Sequence, residues 1–427
     1  MKTKKVLSII TCGLIVTSLF AGCSSPTKTS APVSTPKVVN LKIFIGQGQA
    51  RLKDQYSKYF DQFAVKYLKE KNVKITYDLE MPDANTSDQL LKTRLSAKAD
   101  MDIFAVHAMN DIPLYGKAGY LEDLSNEPFV AKVLDSIKLP ISYQGKVVAV
   151  PLENSSWGYI YNKQIFKDNS ITPPTTLTEM KAVVEKLKAA KITPFLLAYK
   201  DTWVPQLINS LAVGATIQTT DKDFLDKMNK GTGSYSEIPS IFNVMDLINA
   251  NGTTKPLDLG ADDACANFAS GKAAMWLQGP WESAQILKTN PNFQLGVAAL
   301  PINDDPNATL VNLGVSTSLA LSTESKNKEV SKALLNYILD DNDSSAFYQS
   351  MKFAPVAKIH NYKSESFVED ALVYVKAGKA YIDPPMPQSV KDEIGKQLQG
   401  YYLKTVSKND IIKDLDKVWA DSLKSGK

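Results

Sequence analysis

Val73-Lys-Ile75-Thr-Tyr77-Asp-Leu79-Glu-Met81 alternates apolar and polar side chains without a break. A period of two places Val73, Ile75, Tyr77, Leu79 and Met81 on one face of a half-buried strand. Upstream, Leu52, Tyr56, Tyr59, Phe63 and Tyr67 fall three or four apart, so residues 49–71 read as an amphipathic helix, and 38–45 before them as a strand. Downstream, 87–99 reads as a helix and 102–107 as a strand. Strand, helix, strand, helix, strand in this order predicts a parallel sheet covered by helices, an α/β fold.

The same alternation continues. Residues 146–151 and 157–161 read as strands. Helices are expected at 177–190, 204–212, 236–250, 262–270, 281–288, 327–339, 391–403 and 409–423. The Asp340–Asp343 run lacks the Gly and distal Glu of a calcium loop and reads as the end of one helix and the cap of the next. A body of roughly 390 residues exceeds one typical core, so two domains are the default.

The N-terminus is of another kind. Lys2, Lys4 and Lys5 precede an uncharged apolar run from Val6 to Phe20, and Ala21-Gly22-Cys23 follows. A charged start, a short apolar core and a small-residue exit are the parts of a secretory signal. An apolar run of 15 residues spans only ~22 Å as a helix, short of a ~30 Å bilayer core. Cys23 makes the exit resemble a bacterial lipoprotein signal covering 1–22, although Phe20 stands where Leu is usual. Plain secretion and an uncleaved anchor are the alternatives. Ser24 to Lys37 contains ten Ser, Thr or Pro among 14 residues, so 23–37 is expected to be a lipidated Cys and a solvated tether.

Residues 1–22 carry three Lys and no acid, which leaves 46 basic and 45 acidic side chains and a formal charge of +1. That balance gives no reason to expect nucleic acid as a partner. Cys12 leaves with the signal and Cys23 is the lipid candidate, so only Cys265 remains and no internal disulfide can form. Its small and apolar neighbours make it a core thiol. The two histidines, His107 and His360, are far apart, which argues against a zinc site. Gly46-Gln-Gly48 lacks the third Gly of a dinucleotide loop, Gly271-Lys272-Ala273 is no P-loop, and Gly314-Val-Ser316 lacks the second Gly of a nucleophile elbow. No metal and no cofactor are expected, and no catalyst is marked.

From Asn267 to Ile286 the chain reads NFASGKAAMWLQGPWESAQI: a helix end, a Gly-Lys turn, a short Ala-Ala-Met-Trp strand, then Gly279-Pro280-Trp281 opening a helix. This segment resembles a signature of the extracellular sugar-binding proteins of ABC importers, the class that includes maltose-binding protein. Tyr143–Pro151 followed by Tyr161-Asn-Lys163, then Gly314–Ser322, Lys326–Glu329 and Phe353-Ala-Pro355-Val, are similar to that family in the expected order. The resemblance runs from Val38 to the C-terminus. It implies a two-lobed periplasmic-binding-protein fold (type II) with hinge strands between lobes. The first lobe would be 38–154 plus 313–356 and the second 155–312 plus 357–427. It also implies a monomer that binds carbohydrate in the inter-lobe cleft, closes on it and presents it to an ABC permease at the membrane.

Sugars offer a flat C–H face to aromatic rings and a hydroxyl edge to Asp, Glu, Asn and Gln. The ligand should meet the loops at the carboxyl ends of the strands. On the first lobe these loops carry Gln47 and Gly48, Asp83 and Asn85, His107, Asn110 and Asp111, and, at the first crossing, Glu153 and Asn154. A bare turn at Gln47 and a structural role for His107 are the competing readings. By resemblance the second lobe adds Trp281 as the chief stacking ring, with Trp203 as a platform beside Asp201. Met386 would form a wall where relatives carry an apolar or aromatic residue. Glu282 either accepts from hydroxyls or serves the helix dipole. Trp276 and Trp419 read as core.

Overall fold

The computed structural model of the chain describes residues 35–46, 52–340 and 342–425. The signal, Cys23, most of the tether, Gln47 and Gly48 lie outside them, as does the side chain of Asn85. Among the described residues no helix is long and apolar enough to cross a membrane.

The alternating stretch forms the strand Val73–Glu80, which pairs in parallel with Lys37–Phe44; Val39, Leu41 and Ile43 lie beside Ile75, Tyr77 and Leu79. The helix Lys53–Lys71 crosses between these strands and buries Tyr56, Tyr59, Phe60, Phe63 and Tyr67. It stops at Asn72, whose left-handed backbone (φ 53°) turns the chain while its N–H still reaches Leu68 O. Ile103–Val106 joins the other side of Lys37–Phe44 in parallel. Two later segments complete this five-stranded sheet: Ser318–Leu321, antiparallel to Ile103–Val106, and Ala149–Pro151 at the edge.

A second, four-stranded sheet has the order Leu295–Ala298, Tyr159–Asn162, Met275–Trp276, Phe195–Leu196. Between the two lies a three-stranded sheet of Ala380–Ile382, Val311–Gly314 and Ser155–Trp157. The buried side chains divide accordingly. One core draws on 39–152 and 315–357. The others, against the second sheet, draw on 157–310 and 367–419. The molecule is therefore two α/β lobes, with the chain crossing between them more than once.

Two expected strands are each divided. Residues 146–151 split into Lys146–Val147, paired with Ser142–Tyr143, and Ala149–Pro151 in the first sheet. Residues 157–161 split because the chain changes sheets at Gly158, from Ser155–Trp157 to Tyr159–Asn162. A Cβ there would stand 2.4 Å from Ala298 O, so only Gly allows this passage. The run 340–343 ends one helix, Lys328–Asp340, and begins another, Asn342–Met351. The helices Asn342–Met351 and Ser366–Lys376 are additional to the ranges expected above. The first is rich in poor helix formers but is held by Phe347, which stacks on Tyr59 at 4.3 Å. The second carries three valines and buries Phe367 and Ala371. Tertiary burial outweighs propensity in both.

Candidate ligand-binding cleft

The ends of these strands and the hinge sheet bound a cleft of about 1330 Å³, counted to its open mouth. On the first lobe, the strand Ile103–Val106 ends at His107, and the helix Asp111–Lys117 begins four residues later. Asp111 Oδ2 accepts from the His107 backbone N–H at 2.7 Å, which ties the loop to the helix start. Ala149–Pro151 leads to Glu153, which is buried; its Oε2 accepts from Ser316 Oγ at 2.8 Å and Thr317 Oγ1 at 3.4 Å.

On the second lobe, Trp281 sits in the single turn Pro280–Glu282. Its ring folds back over Gly279, where a Cβ would lie 2.1 Å from it. The ring meets Trp157 edge-to-face, with centroids 5.4 Å apart at 71°. Beneath it, Glu282 is fully buried and accepts from Cys265 Sγ at 3.1 Å. Cys265 is itself a buried core thiol. Trp203 opens the helix Trp203–Thr219, which adds Gln206, Leu207 and Ser210 to the lining.

The floor is a charged cluster. Asp383, just past the strand Ala380–Ile382, accepts from Asn312 Nδ2 at 2.9 Å and from Lys391 Nζ at 3.2 Å. Lys391, on the helix Gln388–Tyr402, also donates to Asn110 Oδ1 at 2.7 Å. Burial pushes the His107 imidazole down to about 4, and the Lys391 ammonium adds to the shift. His107 is thus neutral at physiological pH. Burial alone would raise the Asp383 carboxyl, but Lys391, His107 and Asn312 hold it below the usual carboxylate range. Ser155 Oγ, Asn312 Oδ1 and His107 Nδ1 are buried with no hydrogen-bond partner in the protein, and all three residues line the cleft. Buried polar atoms are normally satisfied, so these three leave hydrogen-bonding capacity unused beside one space.

The cleft gathers His107, Asn110, Asp111, Glu153, Trp203, Trp281 and Glu282 from the residues singled out in the sequence. Asn154 lines a smaller neighbouring void, with Nδ2 donating to Pro355 O at 3.4 Å. Three others lie away from this lining. Asp83 lies outside the lining and accepts from Thr86 N at 3.2 Å, capping the helix Ala84–Ser96. Asp201 accepts from Ala261 N at 2.8 Å and so serves the start of the helix Ala261–Ala269. Met386 is buried in the second lobe, its sulfur accepting from Asn209 Nδ2 at 3.4 Å. Trp276 and Trp419 are core.

Asp88, Trp157, Gln206, Ser210, Asn312, Asp383, Gln388 and Lys391 also line the cleft without having been singled out. Lys391 had a readable signal. It shares a helix face with Ile394 and Leu398 and is the one charge on that buried face. Asp383 and Asn312 carried none, because the hinge sheet brings them together from 71 residues apart. Among the described residues no group of three or more His, Cys, Asp or Glu could hold a metal ion.

The family model of the bacterial extracellular solute-binding proteins matches residues 50–342. A multiple sugar-binding protein of Streptococcus mutans is 28% identical over 277 residues, 63% of this chain and 64% of that protein. Among solved structures, a chitin oligosaccharide binding protein superimposes with a TM-score of 0.77 at 21% identity, covering 91% of this chain and 99% of the other. A sugar transporter of Bacillus licheniformis in complex with stachyose gives 0.74 at 20% identity, covering 90% and 99%. The fold is that of these two-lobed proteins.

Proposed function

Because the chain belongs to the bacterial extracellular solute-binding proteins, we propose that it captures a carbohydrate, an oligosaccharide, in its inter-lobe cleft and delivers it to an ABC permease. Its place is outside the cytoplasm, tethered to the membrane by lipid on Cys23. The observation that carries this reading is the make-up of the cleft. Trp203 and Trp281 offer flat apolar surfaces, the buried Trp157 packs edge-to-face against Trp281, and Glu153, Asn312 and Asp383 bring polar groups to the same space. That pairing matches the two surfaces of a sugar. A ligand touching both lobes binds the closed form better than the open one, so capture and closure are one equilibrium. No bond of the ligand has to be made or broken.

Titration calorimetry of the purified protein against mono- and oligosaccharides tests the reading. One-to-one binding with the sugar recovered unchanged supports a receptor. Product accumulating over many turnovers would make it a polysaccharide-acting enzyme instead. Five acids line the cleft (Asp88, Asp111, Glu153, Glu282 and Asp383) against Lys391 as its cation. This lining disfavours anionic solutes and supports a polyamine as second reading; spermidine in the same titrations separates the two.

A further inference from the structure

The hinge sheet has a notch in the face it turns to the cleft. Ser155–Trp157 runs antiparallel to Val311–Gly314, with Ser155 opposite Gly314 and Trp157 opposite Asn312. Directly opposed residues share a face of a sheet, and all four line the cleft. A glycine inside a strand weakens it and marks places where another group comes close. Gly314 is not among the glycines with left-handed backbone. A Cβ there would meet its neighbours only at ordinary contact distance: Trp157 Nε1 at 3.6 Å, Asn312 Oδ1 at 3.7 Å and the Ser155 carbonyl oxygen at 3.9 Å. Neither backbone strain nor crowding therefore calls for glycine at this position. What the missing Cβ leaves is room for one small group, edged by an indole N–H that donates and by oxygens that accept.

The orientation of the amide is fixed. Asn312 is fully buried, and its Nδ2 donates to Asp383 Oδ1 at 2.9 Å. Turning the amide over would set its oxygen against that carboxylate. Oδ1 therefore stays on the notch side as an acceptor with no partner in the protein, and the buried Ser155 Oγ across the strand pair has none either.

We propose that Gly314 is a specificity-determining residue: it makes room for one uncharged hydroxyl of the ligand, which accepts from Trp157 Nε1 and donates to Asn312 Oδ1, with Ser155 Oγ serving its remaining lone pair. The inference rests on reading the cleft as a sugar site and names the group by which the hinge recognises its sugar. A hydroxyl gives and accepts at one atom. A carboxylate brings no hydrogen to Asn312 Oδ1, and an ammonium brings no lone pair to the Trp157 N–H. A site built around a hydroxyl rejects ligands that lack it, because its buried partners are then left unpaired.

Calorimetry and urea unfolding of the full chain test this. The probes are melibiose, raffinose and stachyose, and the di- to tetrasaccharides of glucose and of N-acetylglucosamine. Gly314→Ala puts a methyl group into the notch at distances its neighbours tolerate. Its urea midpoint should stay near that of the wild type while affinity for the sugars that bind falls about tenfold or more. Ser155→Ala adds no bulk and removes an oxygen that has no partner in the protein. It should lose severalfold in affinity with no loss of stability, and it decides alone where Gly314→Ala unfolds early. Either variant folding like the wild type and binding within about twofold of it overturns the notch, which then holds water only, and leaves the cleft a sugar site. A wild type that binds none of these sugars overturns the reading of the cleft, and this inference with it.

Discussion

Lys391 Nζ, carried by the second lobe, donates to Asn110 Oδ1 on the first at 2.7 Å. The same ammonium is 3% exposed and neutralises Asp383, itself 10% exposed. One side chain therefore does two jobs, compensating a buried carboxylate and tying the lobes together. The two can be separated. Lys391→Met leaves Asp383 buried without its ammonium partner and should cost about 3–5 kcal/mol in urea unfolding. Asn110→Ala removes the tie and one cleft-lining side chain but leaves the Lys391–Asp383 pair in place. It should change stability by less than about 1 kcal/mol, enlarge the ligand-free molecule in small-angle scattering and weaken ligand binding severalfold. Unchanged dimensions in Asn110→Ala would show that this bond does not hold the lobes.

Trp281 is expected to dominate affinity. Stacking that covers ~50–80 Å² of apolar surface is worth ~1–2 kcal/mol. Trp281→Ala should then weaken binding about tenfold or more by calorimetry. Gly279→Ala provides an independent check, because its Cβ would stand 2.1 Å from the Trp281 ring and force it aside. It should reproduce most of that loss although it removes no atom from the cleft.

Asp201 and ligand affinity should be independent. Its carboxylate accepts from Ala261 N, so Asp201→Ala should lower stability by about 1 kcal/mol, the usual worth of a lost cap. Ligand affinity should stay within about twofold; a tenfold loss would return Asp201 to the binding site.

Stability should fall as the medium turns acidic. His107 is held at about 4 by burial and Lys391, against an ordinary 6.5. Between those values the unfolded chain takes up a proton that the folded chain refuses. Unfolding free energy therefore decreases with falling pH in this window, by at most ~1.4 kcal/mol per pH unit for one proton. Burial lowers His360 in the same direction. Asp383, depressed in the folded state, adds stability above its ordinary 3.8 that is lost only at lower pH. Urea unfolding at about pH 7, 6 and 5 should show the slope, and His107→Gln should flatten it. An equal slope in that variant would mean that His107 titrates freely.

The fold was legible where periodicity is long and one face is buried. The alternation begun at Val73 forms the strand Val73–Glu80, and the three-to-four spacing read over 49–71 forms the helix Lys53–Lys71. It was less legible where elements are short and borrow stability from neighbours. Gly158 could not be seen to divide a strand, because what it accommodates is Ala298 O from a distant segment. The cleft was legible where a residue follows a strand end, as His107 and Glu153 do. It was not legible at Asp383 and Asn312, whose partnership exists only in the folded hinge. Asp201 and Asp83 show the reverse case. An acid beside a helix start is as useful to backbone N–H groups as to a ligand, and spacing alone does not separate the two.

Of the five tryptophans in the chain, Trp157, Trp203 and Trp281 line the cleft, while Trp276 and Trp419 are sealed in the cores. The protein thus carries its own optical gauge. Three indoles, Trp157 among them from a buried position, border the space a ligand would fill, and two are sealed away from it. Intrinsic fluorescence will register occupancy directly, without a dye or a label, and Trp157→Phe, Trp203→Phe and Trp281→Phe will assign the signal ring by ring.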